Sequence, residues 1–372
     1  MNNNIPHLLH VFPSFGRGGI PIQISHAINY FGDQARHTII STNDDYGAKE
    51  VLNAELDVSF PNLDHLAEGG LLKRLKNYQR YLKDTKPDAL LSYNWGAIEW
   101  VLANSFSPKI YNLHSEHGFG PDEADKTLLR RDLFRRFSLR NTETVLVPSL
   151  NLENIALNTW HIPKEKIVYI PNGVDIAKFE KNEPSFIIPG FQKQTDETII
   201  GTIAPLRPEK NIGRMIEAFA ALRKKNIKSR LLIIGDGAER TKLEALCVTL
   251  NIQDQVVFAG YISKPETVIG YLDVFAISSD TEQMPNTILE AMAASLPIVG
   301  VAVGDVKNMV SVQNQEFITP LNDDLAFSSM MEKLTGDKEK QIKLGELNLS
   351  HVKEKYDRLI MYKKYAKLWG IN

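Results

Sequence analysis

Glu282 and Glu290 stand eight positions apart in SSDTEQMPNTILEAMAASLPIVGV, the first ahead of a Pro-containing turn and the second on the small-residue helix that follows. A loop entering a helix presents unpaired backbone N–H groups and the positive end of a dipole, which suits a phosphate or sugar-phosphate anion. With a helix start near Asn286 or Thr287, both capping types, Glu290 falls one turn in and Glu282 precedes the turn. The two carboxylates can then approach one ligand from different sides. Two ordinary solvated glutamates are the plainer alternative for such a pair, and the rest of the chain bears on the choice.

A second candidate loop carries cations. Strand-like TIIGTIA runs into Pro205-Leu-Arg207-Pro-Glu-Lys210, just before a helix that opens near Asn211. Arg207 and Lys210 there suit a diphosphate, because charge-assisted bonds to phosphate oxygens are the strong kind. GRGG at 16–19 is a Gly-rich turn into a helix begun by Pro21, a residue suited to a first helical turn. Pro21 also occupies the third glycine of the dinucleotide fingerprint, which argues against a nicotinamide-dependent oxidoreductase. His114 and His117 follow strand-like KIYNL, GDGAER at 235–240 follows RLLIIG, and Gly260-Tyr261 closes VVFAGY. Each is a strand end, where ligand-contacting residues of α/β proteins collect.

The elements that position these residues alternate. HLLHVFP, IPIQISHAINYFG, HTIISTN, LLKRLKNYQRYLKDT, ALLSYN and AIEWVLANSF read as strand, helix, strand, helix, strand and helix, and the pattern continues to about residue 175. Such alternation predicts parallel sheets covered by helices on both faces. Residues 176–197, with Pro184, Pro189 and Gly190 among polar residues, read as a linker. The alternation then restarts at TIIGTIA and runs to a last helix through YKKYAKLWG. Two successive α/β units predict two domains, 1–175 and 198–351, with a cleft between them.

The glutamate pair, the Pro, the EAMA helix and the buried LPIVG strand together resemble the family-four retaining glycosyltransferases (group 1), whose signature is Glu, seven residues, Glu. The resemblance covers essentially the whole chain. It implies a GT-B fold, two Rossmann-like α/β domains facing each other across a cleft, with a C-terminal helix, 352–372, returning to the first domain and Trp369 as its packing anchor. It implies that Glu282 and the main chain of Gln283, Met284, Pro285 and Asn286 hold the donor sugar. Glu290 would hold the nucleotide ribose, Lys210 with Arg207 the donor phosphates, and Gly18 and Gly19 those phosphates from the first domain. His117 would face the reacting sugar, with Glu282, as the catalytic pair, and Tyr261 would lie where the base is read. Pro205 stands where the family usually has an Arg, with Arg207 two residues later. A nucleotide-sugar-binding relative without turnover, or a GT-B sugar-nucleotide epimerase, is therefore the alternative. The implied reaction needs no cofactor and no metal: a UDP- or GDP-linked sugar is the co-substrate, and a glycan, glycolipid or other hydroxyl the acceptor.

Composition narrows the field. The 372 residues are 43% hydrophobic and 24% charged, and 43 Lys and Arg face 45 Asp and Glu, a formal net charge of −2. Nothing there attracts nucleic acid. Cys247 is the one cysteine, which excludes disulfides and cysteine-rich zinc sites. Nine scattered histidines give no metal-binding spacing. No run approaches about 18 apolar residues, so a cytoplasmic protein is expected. Two basic amphipathic helices, one with Lys73, Arg74, Lys76, Arg80 and Lys83 and one with Arg130, Arg131, Arg135, Arg136 and Arg140, read as solvated faces over buried apolar sides. They also allow peripheral contact with anionic lipid at the inner membrane face.

Overall fold

The computed structural model describes residues 5–119, 123, 128–180, 184–225 and 227–371. They form two compact units, residues 1–171 with 361–372 and residues 172–360.

The first unit is built on seven parallel strands: β1 (His7–Phe12), β2 (Arg36–Ser41), β3 (Val58–Ser59), β4 (Ala89–Tyr93), β5 (Tyr111–Ser115), β6 (Thr144–Val147) and β7 (Ile167–Tyr169), in the order β3-β2-β1-β4-β5-β6-β7. Alternate residues of β1 feed opposite faces, as a strand requires. Leu8 and Phe12 pack with helix Gly19–Phe31 and with Met361, Tyr362, Tyr365 and Trp369. Leu9 and Val11 pack with helices Leu71–Thr85 and Ile98–Phe106. The rings of Trp369 and buried His10 meet in a T-shape, their centroids 5.4 Å apart. His10 lies 3.0 Å from both the Tyr93 hydroxyl and His37 Nδ1. Burial, and then the neighbouring histidines, hold His10 well below the usual imidazole range.

The second unit carries six parallel strands: β8 (Thr198–Ile203), β9 (Ser229–Ile234), β10 (Val256–Gly260), β11 (Val274–Ile277), β12 (Ile298–Val301) and β13 (Ile318–Thr319). Their order is β10-β9-β8-β11-β12-β13. Near-continuous apolar runs such as LLII and VFAI are buried throughout, as strands covered on both faces must be.

Three local expectations differ from the structure. The segment 176–197 does not stand apart: Ile176, Phe179, Ile188 and Phe191 bury into the core of the second unit. Ile176 and Phe179 do so from the short helix Ile176–Phe179, and Ile188 and Phe191 from the stretch that holds Pro189 and Gly190. The tail 352–372 is not one helix. Helix Lys338–Lys355 ends, and helix Arg358–Trp369 begins after a break at Tyr356–Asp357, where Val174 N donates to Tyr356 O and Arg358 N to Val174 O.

The third concerns helix Leu129–Leu139, which is not a basic face over an apolar one. Arg135 is fully buried, its Nε 3.2 Å from Glu116 and its terminal nitrogens 3.1 Å from Glu123. Its guanidinium lies 5.0–5.2 Å from the rings of Trp95, Phe119 and Trp160. At Glu123 burial alone would raise the carboxyl, but the bonds from Arg135, Arg131 and Leu128 outweigh it and hold it at about 2. Removing one partner from such a buried group leaves uncompensated charge, at about 3–5 kcal/mol. Arg135→Ala is therefore expected to move the urea unfolding transition of the first unit by roughly that amount, with Glu116→Gln/Glu123→Gln in the same chain restoring part of it.

Candidate functional site

In the second sheet the strand order reverses between β8 and β11, so the connections on either side run in opposite directions and leave a crevice at the strands' carboxyl ends. The two loops that leave those strands meet there. Lys210 Nζ, from the loop after β8, lies 2.6 Å from Glu282 Oε1, from the loop after β11, with the side chains 19 and 11% exposed. The same oxygen accepts from Ser279 Oγ at 2.7 Å. Glu282 Oε2 accepts nothing among the described residues, and the lysine has further N–H donors to offer. Main chain ties the loops as well: Ser278 Oγ donates to Lys210 O at 3.0 Å, and Asp280 N to Glu209 O at 2.9 Å.

The turn that carries Glu282 is fixed from behind. Gly304 has φ +52°, and a Cβ there would lie 2.2 Å from Glu282 O, so only glycine fits this approach. Asp305 N donates to Gln283 O at 2.9 Å. Asn172 Nδ2 donates to Met284 O at 3.1 Å and to Asn286 Oδ1 at 2.9 Å. Met284 is 6% exposed, so its side chain belongs to the core, and a ligand would meet this turn through main chain and through Gln283.

Helix Asn286–Ala293 starts directly after Pro285, with no side chain capping its N-terminus. Ile288, Leu289, Ala291, Met292 and Ala293 are buried, while Glu290 is half-buried. The Glu290 carboxyl makes no hydrogen bond or ion pair among the described residues. Burial, and secondly the charge of Glu266, push it up to about 7. An acidic group that is desolvated, unpaired and next to a helix start is a candidate ligand contact.

Arg207 lies on the same loop as Lys210 but is 65% exposed, its closest carboxylate Glu209 at 4.0 Å. Arg214, which sequence reasoning missed, does the structural work there. Only 8% exposed, it reaches Asp280 at 2.8 Å, Asp324 at 2.6 Å and Ser278 O at 2.8 Å. It thus ties helix Ile212–Arg223 to the loop after β11. A signal existed: a cation in the first turn opposes the helix dipole and calls for distant carboxylates. Asn172 gave none beyond its place in NGVD. The glycines of GDG serve close approach, since a Cβ on Gly235, φ +143°, would lie 1.9 Å from Ala204 O. Tyr261, just past β10, is 67% exposed.

In the first unit, His117 N donates to Asn94 Oδ1 at 2.8 Å, while its Nε2 is buried and unpartnered. Burial, and then neighbouring His114, lower its imidazole to about 4, so it is neutral at physiological pH. His114 is buried, with Nδ1 3.0 Å from Ser92 Oγ. Gly18 precedes helix Gly19–Phe31 with an ordinary φ of −89° and no side-chain cap, and both glycines are exposed. Among the described residues no cluster of three or more His, Cys, Asp or Glu could hold a metal ion, and no helix is long and apolar enough to cross a membrane.

Comparison with known proteins places this geometry. The family model "Glycosyl transferases group 1" matches residues 185–348, and "Glycosyltransferase Family 4" matches residues 17–178. Alpha-monoglucosyldiacylglycerol synthase of Streptococcus pneumoniae is 27% identical over 223 residues, 57% of this chain and 50% of that protein. The chain thus aligns with about half the length of that curated relative. Among solved structures, HepE of Anabaena in complex with UDP and glucose superposes with a TM-score of 0.79 at 15% identity, over 97% of this chain and 98% of that one. Sucrose-phosphate synthase of Thermosynechococcus elongatus gives 0.76 at 18% identity, over 98% of each. With family models on both units and a shared GT-B fold, the chain belongs to the group 1 glycosyltransferases.

Proposed function

We propose that this protein moves a sugar, with retention and without a metal ion, from a UDP- or GDP-linked donor to a hydroxyl of a glycan or glycolipid in surface polysaccharide or glycolipid assembly. The Lys210–Glu282 pair at the β8/β11 reversal carries this reading. Glu282 keeps Oε2 for donor-sugar hydroxyls, and Lys210, neutralising its partner, has N–H groups left for the diphosphate. Preorganised positive charge of this kind, with the N-terminus of helix Asn286–Ala293, would stabilise the departing diphosphate in place of a divalent cation. Glu290, ionised, would accept from the ribose diol. In the first unit a neutral His117 would bond the donor sugar, and the Gly18 and Gly19 main chain the phosphates. In a retaining reaction the acceptor oxygen bonds to the anomeric carbon on the face the diphosphate leaves, and a donor phosphate oxygen takes the acceptor's proton. The UDP and glucose bound by HepE and the glucosyldiacylglycerol in the name of the pneumococcal relative support such a donor and acceptor.

A second reading has one observation in its favour. Pro205 replaces a family arginine, and Arg207 is exposed, with Glu209 at 4.0 Å its nearest carboxylate, so nucleotide binding without transfer or donor hydrolysis would mark a non-catalytic relative.

Nucleotide binding tests the site, because a ligand that binds the folded state alone raises its stability. UDP or GDP is expected to raise the melting temperature, and NAD is not. Glu282→Ala is expected to abolish sugar transfer with nucleotide affinity kept within about threefold, while Glu290→Ala weakens nucleotide binding by about 10-fold or more, the scale of a lost charged hydrogen bond. Equal loss of binding in both variants would overturn this division of roles.

With Glu290 at about 7 in the free protein, its protonated form prevails below that pH and its carboxylate above. Nucleotide affinity is therefore expected to rise as pH goes from 6 to 8, by calorimetry, and to flatten in Glu290→Gln. Full transfer activity is expected in EDTA; an absolute requirement for added Mg²⁺ or Mn²⁺ would contradict the metal-free reaction.

A further inference from the structure

Helix Leu129–Leu139 turns an apolar stripe outward. Leu129, Leu133 and Phe137 are 74, 57 and 61% exposed, at spacings of four that stack them along one side of the helix. Arg130, Arg136 and Arg140 are exposed beside them and make no ion pair among the described residues. The carboxylate of this helix, Asp132, is buried against Trp160 Nε1, so the charges this helix itself turns outward are cations alone. The helix packs on Ile98–Phe106, which packs on Leu71–Thr85. That third helix exposes Leu72, at 76%, with Lys73, Lys76, Arg80 and Lys83. Asp84 is exposed there too, and Glu68 lies 4.0 Å from Lys73.

Single exposed leucines are ordinary; a stripe of three bordered by arginines without an ion pair among the described residues is not. A second copy would set the same arginines against these, and an uncharged protein groove would bury them unpaired. A bilayer with anionic headgroups offers apolar chains to Leu and Phe and phosphates to guanidinium at adjoining depths. We infer that this face seats the first unit on a membrane surface rich in anionic lipid. The inference stands apart from the proposed transfer reaction, and its test reads no sugar transfer.

The full chain is floated with vesicles of phosphatidylglycerol and phosphatidylcholine in equal parts, and with phosphatidylcholine alone. Binding is expected to the anionic vesicles. It should fall about tenfold or more with phosphatidylcholine alone, at high salt, in Leu133→Asp/Phe137→Asp and in Arg130→Gln/Arg136→Gln/Arg140→Gln. Unchanged circular dichroism and melting temperature show that each variant folds, and the arginine set carries the test if the apolar pair does not fold. Equal binding to both vesicles, or binding untouched by either set of substitutions, overturns the inference. So does a dimer that Leu133→Asp/Phe137→Asp converts to monomer while the native chain ignores vesicles.

Discussion

A carboxylate and an ammonium that are both mostly withdrawn from water must satisfy each other, and the second unit is arranged around that demand at Lys210 and Glu282. Neither loop holds its charge alone. The loop after β8 supplies the cation and the loop after β11 the anion, and the pair is reached only because the strand order reverses between them. Around it the remaining connections repeat the pattern at longer range: Arg214 clamps Asp280 and Asp324, and Asn211 Nδ2 holds the Asp280 carboxylate at 3.0–3.1 Å. The result is a pair of loops whose shape is fixed by charge pairing, so their polar groups are held in place before any ligand arrives.

Most of this architecture is visible in the chain's pattern. Parallel strands with helical crossovers announce themselves through short apolar runs between amphipathic segments, because periodicity is a local property. The Glu282 and Glu290 spacing is local too. What the pattern misreads is set by distant partners. Arg135 sits in a run of arginines that looks solvated, yet Glu116, Glu123 and three aromatic rings enclose it, and Leu133 and Phe137 turn outward in exchange. Residues 176–197 look like a linker by composition, although Ile176, Phe179, Ile188 and Phe191 are buried in the core of the second unit. Asn172 and Arg214 shape the site through hydrogen bonds spanning 64 to 114 positions, for Arg214 64 to Ser278 and 110 to Asp324, and for Asn172 112 to Met284 and 114 to Asn286. No spacing rule reaches that far.

The two units handle buried charge differently. In the second, Lys210 and Arg214 face loops at the strands' carboxyl ends, where a ligand's charge can join the arrangement. In the first, Arg135 is surrounded by two glutamates and three rings and is satisfied without any ligand, so that cluster reads as structural support for the loop holding His117. Nearby, His117 Nε2, His114 Nε2 and Glu116 Oε1 are buried without a hydrogen-bond partner among the described residues.

Asn172 has one more property. It is the residue at which the chain enters the second unit, and the same side chain grips the Met284 carbonyl and Asn286. The backbone at Asn172 is therefore tied directly to the turn between the two glutamates, through two side-chain bonds. The first residue of the second unit and the turn that carries Glu282 are one hydrogen-bonded piece.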